Sequence, residues 1–322
     1  MKIIYMGTPD FAVGPLEAMI QAGHEILLVV TQPDKKKGRG KELQFTPVKE
    51  CALKHGIEVF QPVKIKTEES VEKLREYDAD IFVVAAFGQL LSKEILDMPK
   101  YGCVNIHASL LPKYRGAAPI QWVILDGEKE TGVTIMKMDV GLDTGDMMIK
   151  EVVPIAEKET GETLHDKLSE AGSSLIVKAL DLMEKGEITL EKQDDSLSCY
   201  AKMLTKDLGH IDWSKSAVEI ERLIRGLNSW PSAYTSFQGK TLKIWEADVL
   251  EESDARYQEL AAANKNALSN PGTVVTITKD EIIIACGSGM LVLKELQLEG
   301  KKRMTTKEFL LGRSMETGTV LG

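Results

Sequence analysis

Short apolar runs alternate with helix-patterned stretches through the first half of the chain, and that alternation limits the fold more than any other feature of the sequence. Ile3 to Met6 is apolar, Gly7-Thr8-Pro9-Asp10 is a turn, Phe11 to Gln21 sets Phe11, Leu16, Met19 and Ile20 at helical spacing, and Ile26 to Val30 is apolar again. Strand, turn, helix, strand opens a parallel sheet with a right-handed crossover. Val59-Phe60, Ile81 to Ala86, Cys103 to Ile106 and Val133 to Met138 read as further strands, with helices near Val71 to Arg75 and Ile120 to Leu125. Thr46-Pro47 starts another helix, Thr as cap and Pro at the first helical position. Leu164 to Met183 is helical and ends at Lys185-Gly186. The expectation is an α/β domain over residues 1–187, a doubly wound, mostly parallel, Rossmann-like sheet.

Composition turns polar from Glu187 to Ser198, so residues 188–206 read as a linker. Beyond it Ala217 to Leu227 is an amphipathic helix, broken at Asn228-Ser229-Trp230-Pro231. Thr241 to Ala247, Thr273 to Thr278, Ile282 to Ala285 and Met290 to Leu298 are strand-like, with turns at Gln238-Gly239 and Ser288-Gly289 and a long excursion from Glu252 to Asn270. Short strands at this spacing predict a small OB-like β-barrel over residues 207–322.

The net charge of −9 argues against whole-surface attraction to nucleic acid or anionic membrane, but not against a local basic patch. Lys35, Lys36, Lys37, Arg39 and Lys41, beside Gly38 and Gly40, read as a mobile cationic loop leaving the carboxyl end of the second strand. Lys301-Lys302-Arg303 is a second cluster. Cys51, Cys103, Cys199 and Cys286 lie far apart with no Cys-x-x-Cys and no nearby His of the zinc-site kind, so reduced thiols and no metal are expected. The first residues carry no basic leader, and no apolar run approaches the roughly 20 residues of a membrane span, so a cytoplasmic protein is expected; a monomer is expected as well.

Chemistry concentrates in Asn105 to Pro119. Side chains alternate along a strand, so Asn105 and His107 point the same way at its carboxyl end, the edge where open α/β sheets bind ligands. Gly141-Leu142-Asp143-Thr144-Gly145-Asp146 is a tight turn that can bring Asp143 toward them, although spacing alone favours acids that merely hold the turn. An amide, an imidazole and a carboxylate suit acyl transfer to an amine. Asn105 can donate to a developing oxyanion, His107 can steady the same charge or carry a proton, and Asp143 can orient His107 or take the amine's proton. No Gly-x-Ser-x-Gly elbow is present and no Cys lies beside a His, so direct transfer is expected rather than a covalent enzyme intermediate. Gly7 alone is not Gly-x-Gly-x-x-Gly, which disfavours a nicotinamide enzyme. Acyl transfer to a small amine, hydrolysis of an acyl donor and a non-catalytic RNA-binding role are the other readings.

Asn105-x-His107 with Ser109-Leu110-Leu111-Pro112-x-x-Arg115-Gly116, and Asp143 within Asp139-x-Gly141-x-Asp143-Thr144-Gly145, resembles the signature of the folate-dependent formyltransferases. Gly7-Thr8-Pro9-Asp10-Phe11, Thr31-Gln32-Pro33-Asp34, Gly38-Arg39-Gly40-Lys41, Gly116-Ala117-Ala118-Pro119-Ile120-Gln121 and a carboxyl-terminal barrel are similar, over essentially the whole chain, to the branch that acts on a charged tRNA. The resemblance implies that 10-formyltetrahydrofolate donates a formyl group to the α-amino group of methionine on initiator methionyl-tRNA, with Asn105, His107 and Asp143 as the catalytic set. It also implies that Ser109, Leu110, Leu111 and Pro112 line the folate site and that the loop bearing Arg39 reaches the tRNA acceptor end. Ala108 departs from the family, where many members have Gly.

Overall fold

The computed structural model describes residues 1–37 and 42–322. The chain divides into two compact units: Met1–Pro119, Lys129–Ile155 and Leu164–Lys202 form the first, while Ile120–Glu128, Ala156–Thr163 and Met203–Gly322 form the second.

In chain order the first unit carries β1 (Lys2–Gly7), α1 (Val13–Gln21), β2 (Glu25–Val30), β3 (Lys35–Lys37), β4 (Glu42–Gln44), α2 (Pro47–Lys54), β5 (Val59–Phe60), α3 (Glu68–Arg75), β6 (Ile81–Ala85), α4 (Lys93–Leu96), β7 (Cys103–His107) and β8 (Arg115–Gly116). After α5 (Pro119–Leu125), which belongs to the second unit from Ile120 onward, come β9 (Glu130–Lys137), β10 (Met147–Pro154), α6 (Gly161–Glu184) and β11 (Tyr200–Ala201). Seven strands form one sheet in the order β10-β9-β7-β6-β1-β2-β5. Neighbours from β7 to β5 run parallel, whereas β9 runs antiparallel to β7 and to β10. The parallel strands are covered on both faces, which is why they read as unbroken apolar runs: Ile3, Ile4, Tyr5 and Met6 are fully buried. β10 escaped the sequence reading because it is a half-exposed edge strand interrupted by Lys150 and Glu151, which leaves no apolar run to find.

The antiparallel run of β9 decides where the site forms. Lys137 lies opposite Val104 and Met138 N donates to Cys103 O (2.8 Å), so residues 138–146 start near the amino end of β7. They then fold back, and Asp143 reaches Asn105 from the opposite direction to the loops of the carboxyl edge.

Two expectations need correction. The cationic segment is not structureless at its ends, because β3 and β4 pair antiparallel, with Lys35 opposite Gln44 and Lys37 opposite Glu42. Backbone pairing supplies a ladder here without a packed core. Arg39 and Lys41 lie outside the described residues. The polar stretch after α6 is also more than a connector: β11 pairs in parallel with β8, and Arg115 N donates to Cys199 O (2.9 Å) and Ala117 N to Ala201 O (2.9 Å). Composition marks this stretch as solvent-loving, and it satisfies itself by bonding to a loop.

The second unit contains α7 (Ala217–Gly226), β12 (Ala233–Phe237), β13 (Lys240–Leu250), α8 (Ala255–Ala263), α9 (Lys265–Leu268), β14 (Val274–Ile277), β15 (Ile282–Ala285), β16 (Met290–Leu298), β17 (Met304–Thr305) and α10 (Thr306–Gly312). Ser216 and Glu219 form a capping box at the start of α7, a feature that contributes about 1 kcal/mol. The strands form an antiparallel sheet in the order β12-β13-β16-β15-β14, with β17 on β16. Its edges are linked by the chain's last residues: Val274 N donates to Thr319 O (2.8 Å), Leu321 N to Gly272 O (2.9 Å) and Gly322 N to Ser236 O (3.2 Å). The sheet curls around a core of Trp213, Ile220, Ile224, Leu242, Ile244, Leu291, Leu293 and Phe309. Gly226 lets Leu125 seat on α7, since a Cβ there would meet Leu125 Cδ1 at 2.2 Å.

Candidate functional site

Asn105 and His107 share one face of β7 by strand alternation, and both meet Asp143. Asn105 Nδ2 donates to Asp143 Oδ1 across 3.4 Å, and His107 Nδ1 lies 3.7 Å from Asp143 Oδ2. Gly116 N donates to the same Oδ2 at 2.8 Å. The carboxylate therefore sits between the strand end and the turn that follows it. Asp143 holds a left-handed backbone (φ 54°), which a non-glycine residue adopts only when its surroundings fix it.

The imidazole orientation follows from its other nitrogen. His107 Nε2 is 2.9 Å from Tyr114 O, and a carbonyl only accepts, so Nε2 carries a proton. Nδ1 is left facing the carboxylate, and it is the nitrogen available to a reacting group. His107 is 5% exposed, so a charge that develops beside it is little screened by water. The long Asn105 contact is weak by hydrogen-bond geometry and can be exchanged for a ligand oxygen at little cost.

The Ser109 to Pro112 turn divides in two. Ser109 is fully buried; its Oγ donates to Lys113 O (2.7 Å) and its carbonyl accepts from Thr134 Oγ1 (2.7 Å). Leu111 is buried against Met136 and Met147. Leu110 and Pro112 keep partly exposed side chains, and Leu110 packs across Gly132 of β9, where a Cβ would come within 2.6 Å of its Cδ2. Lys35 is exposed, and Lys36 and Lys37 follow it in β3.

Arg115 supplies the fixed positive charge of the turn after β7, but that charge does not face solvent alone. Instead its Nε and Nη2 donate to Gln193 Oε1 (3.0 and 2.8 Å), and Nη2 also donates to Asp195 Oδ1 (2.7 Å). Gln193 had no signal in the sequence, being one glutamine in a polar stretch without periodicity. Gly7 serves packing rather than phosphate: a Cβ there would meet Ala12 Cβ at 2.7 Å and Ala85 O at 3.1 Å. Among the described residues the only grouping with metal-ligand chemistry is Glu17, Cys51 and His55, whose donor atoms lie within 4.8 Å of one another. That corrects the statement that no His lies near a Cys, since one helical turn of α2 separates Cys51 from His55. Burial, and then the neighbouring Glu17, push the Cys51 thiol up to about 11, so it stays protonated and is placed to donate to Glu17 Oε1 (3.8 Å).

Comparison with known proteins decides the family. The formyl transferase pattern matches residues 1–180 and the formyl transferase C-terminal domain pattern matches residues 203–314. The chain belongs to the formyl transferase family. Formyl transferase relatives include the methionyl-tRNA formyltransferase of Agathobacter rectalis, 56% identical over 319 residues and covering 99% of each chain. That of Geobacter sulfurreducens is 48% identical over 322 residues, covering 100% of this chain and 97% of its own. Among solved structures, the sugar 3N-formyl transferase WlaRD, crystallised with dTDP and 5-N-formyl-THF, superposes with a TM-score of 0.63 over 94% of this chain and 99% of its own, at 21% identity. That likeness is one of fold. Residues 181–202, which include Gln193, fall between the two matched stretches of the formyl transferase family.

Proposed function

We propose that this formyl transferase moves the formyl group of 10-formyltetrahydrofolate onto the α-amino group of initiator methionyl-tRNA, as a cytoplasmic monomer, with Asn105, His107 and Asp143 as its catalytic residues. The observation that carries the residue assignment is the meeting of one amide, one imidazole nitrogen and one carboxylate at a single point. The relatives' names carry the choice of acceptor. Among the described residues no helix is long and apolar enough to cross a membrane.

The amine of the methionyl ester attacks the formyl carbon. Asn105 Nδ2 releases its weak contact to Asp143 and donates to the oxygen on which negative charge grows, a role worth roughly 3–4 kcal/mol where such a donor has been removed. His107 donates from Nδ1 to the same oxygen when that nitrogen is protonated, with Nε2 fixed on Tyr114 O. Asp143 takes the proton that the attacking nitrogen loses. Collapse of the tetrahedral adduct breaks the bond to the folate nitrogen, which leaves with the proton that Asp143 has taken, so the carboxylate is restored and the formyl group remains on the amine. Leu110 and Pro112 offer apolar surface for a flat ring, while Ser109 and Leu111 hold the turn from within.

The tRNA reading assigns Lys35, Lys36, Lys37, Arg39 and Lys41 to the acceptor end, and residues 207–322 to a tRNA-binding domain. Trp245 supports the second assignment. Lys243 and Arg303 sit 5.4 and 5.2 Å from its ring, and Lys301 is exposed nearby, a mixture of ring and cation suited to a nucleic-acid backbone.

Mixing the protein with 10-formyltetrahydrofolate and charged methionyl-tRNA is expected to yield formylmethionyl-tRNA. Product formed equally well from free methionine would overturn the tRNA assignment. Arg39→Ala is expected to cut tRNA formylation at least tenfold at low salt, by a factor that shrinks as salt rises because one phosphate contact fewer is left to screen, while folate affinity stays within about twofold. Equal loss of folate affinity would count against a tRNA role for that loop.

A further inference from the structure

We infer that Gln193 is a positioning residue for formyl transfer, holding the Asp143 loop and the Arg115-Gly116 turn in one register through opposite ends of its amide. The inference rests on the assignment of Asp143 as the catalytic carboxylate. Gln193 Nε2 donates to Asp143 O (2.8 Å) and to Gly145 O (2.7 Å), while Oε1 accepts both nitrogens of Arg115. All the hydrogen-bonding capacity of the amide is thus used, two donors and two lone pairs. It is spent on two loops that share no covalent neighbour.

What those loops hold gives the contacts their meaning. Asp143 has a left-handed backbone that its own side chain does not stabilise, and Gln193 grips it at the carbonyl. The Asp143 carboxylate takes its best hydrogen bond from Gly116 N, and Gly116 follows the arginine that Gln193 orients. β11 tightens this seat. Tyr200 and Ala201 pack so closely on Gly116 (φ 112°) that a Cβ there would meet Tyr200 Cε2 at 2.5 Å and Ala201 O at 2.8 Å. Both the backbone that carries the carboxylate and the amide that aims it are therefore referenced to one strand-like strap, residues 193–201. Asp195 adds little to the arrangement, since its side chain is 82% exposed and its ion pair is screened.

A group held through its backbone loses precision before it loses its fold, and a misplacement of about 1 Å at a reacting group can cost on the order of 100-fold in rate. Gln193→Met keeps the length and removes every hydrogen bond. Gln193→Glu keeps the acceptor toward Arg115 and removes only the donors to Asp143 O and Gly145 O. Both variants, assayed with 10-formyltetrahydrofolate and methionyl-tRNA, are expected to lose about 10- to 100-fold in kcat. KM for either substrate should stay within about twofold, since neither variant changes a residue assigned to binding. A wild-type kcat in Gln193→Glu would overturn the inference, because the Arg115 contact alone would then suffice. A fall in folate and tRNA affinity as large as the fall in kcat, with a melting temperature lowered in step, would also overturn it by showing a role only in holding the fold. Asp143→Asn measured alongside separates the two assignments: full activity there sinks the reading of Asp143, whereas an inactive Asp143→Asn with normal Gln193 variants sinks the positioning role alone.

Discussion

Asp143→Asn is expected to lower kcat by about 10² to 10⁴, the usual worth of a placed acid or base, while the protein remains folded and KM for folate changes by less than about twofold. Asparagine has the shape of aspartate, and its Oδ1 can still accept from Gly116 N, so the turn is not what the substitution removes. It removes the proton acceptor and the negative charge opposite His107 Nδ1. Without the carboxylate, the attacking amine has no acceptor for its proton and His107 Nδ1 no longer faces a negative charge. Single-turnover formylation with saturating donor separates this from slow product release. Near-normal turnover would mean that the amine's proton goes elsewhere and that Asp143 only holds the 138–146 loop, the reading its spacing alone left open.

How much of this was legible in the sequence depends on what kind of force fixes each residue. The parallel strands and their helices follow from burial on both faces, which writes apolar runs, and the pairing of Asn105 with His107 follows from the strand period. β10 writes no such pattern, because one of its faces meets solvent and Lys150 and Glu151 sit in its middle. Without β10 the antiparallel return of β9 could not be anticipated, and so neither could the direction from which Asp143 arrives. Gln193 was invisible for a different reason. Its role is made of hydrogen bonds between segments 50 and 78 residues apart, which leave no mark on local composition, and the polarity that suits it to bonding loops made it read as linker. Arg115 shows the same limit from the other side. A cation beside a glycine in a turn looks exposed until the partner that satisfies it is known.

Gly145→Ala tests the other loop-holding feature, the close crossing at the base of the β9-β10 connection. A Cβ on Gly145 would lie 1.8 Å from Lys137 O and 2.9 Å from Lys137 C, backbone atoms of β9 that cannot swing aside as a side chain can. Relief requires the two strands to part where Lys137 N donates to Asp146 O (2.8 Å), so the substitution adds an overpacking cost to a lost backbone bond. The two together come to about 2–4 kcal/mol. A fall in melting temperature of about 5–15 °C is expected. The displacement also carries Gly145 O away from Gln193 Nε2 and shifts Asp143 two residues upstream, so formylation should drop at least tenfold even at temperatures where the variant is fully folded. Gly312→Ala is the matched control: its added Cβ meets nothing within 4 Å and its backbone is not left-handed, so stability should not fall and should rise by up to about 1 kcal/mol. If Gly145→Ala melts within a degree of the unsubstituted protein and turns over normally, the crossing is looser than the structure has it, and the loop that carries the carboxylate is not set by contact with β9.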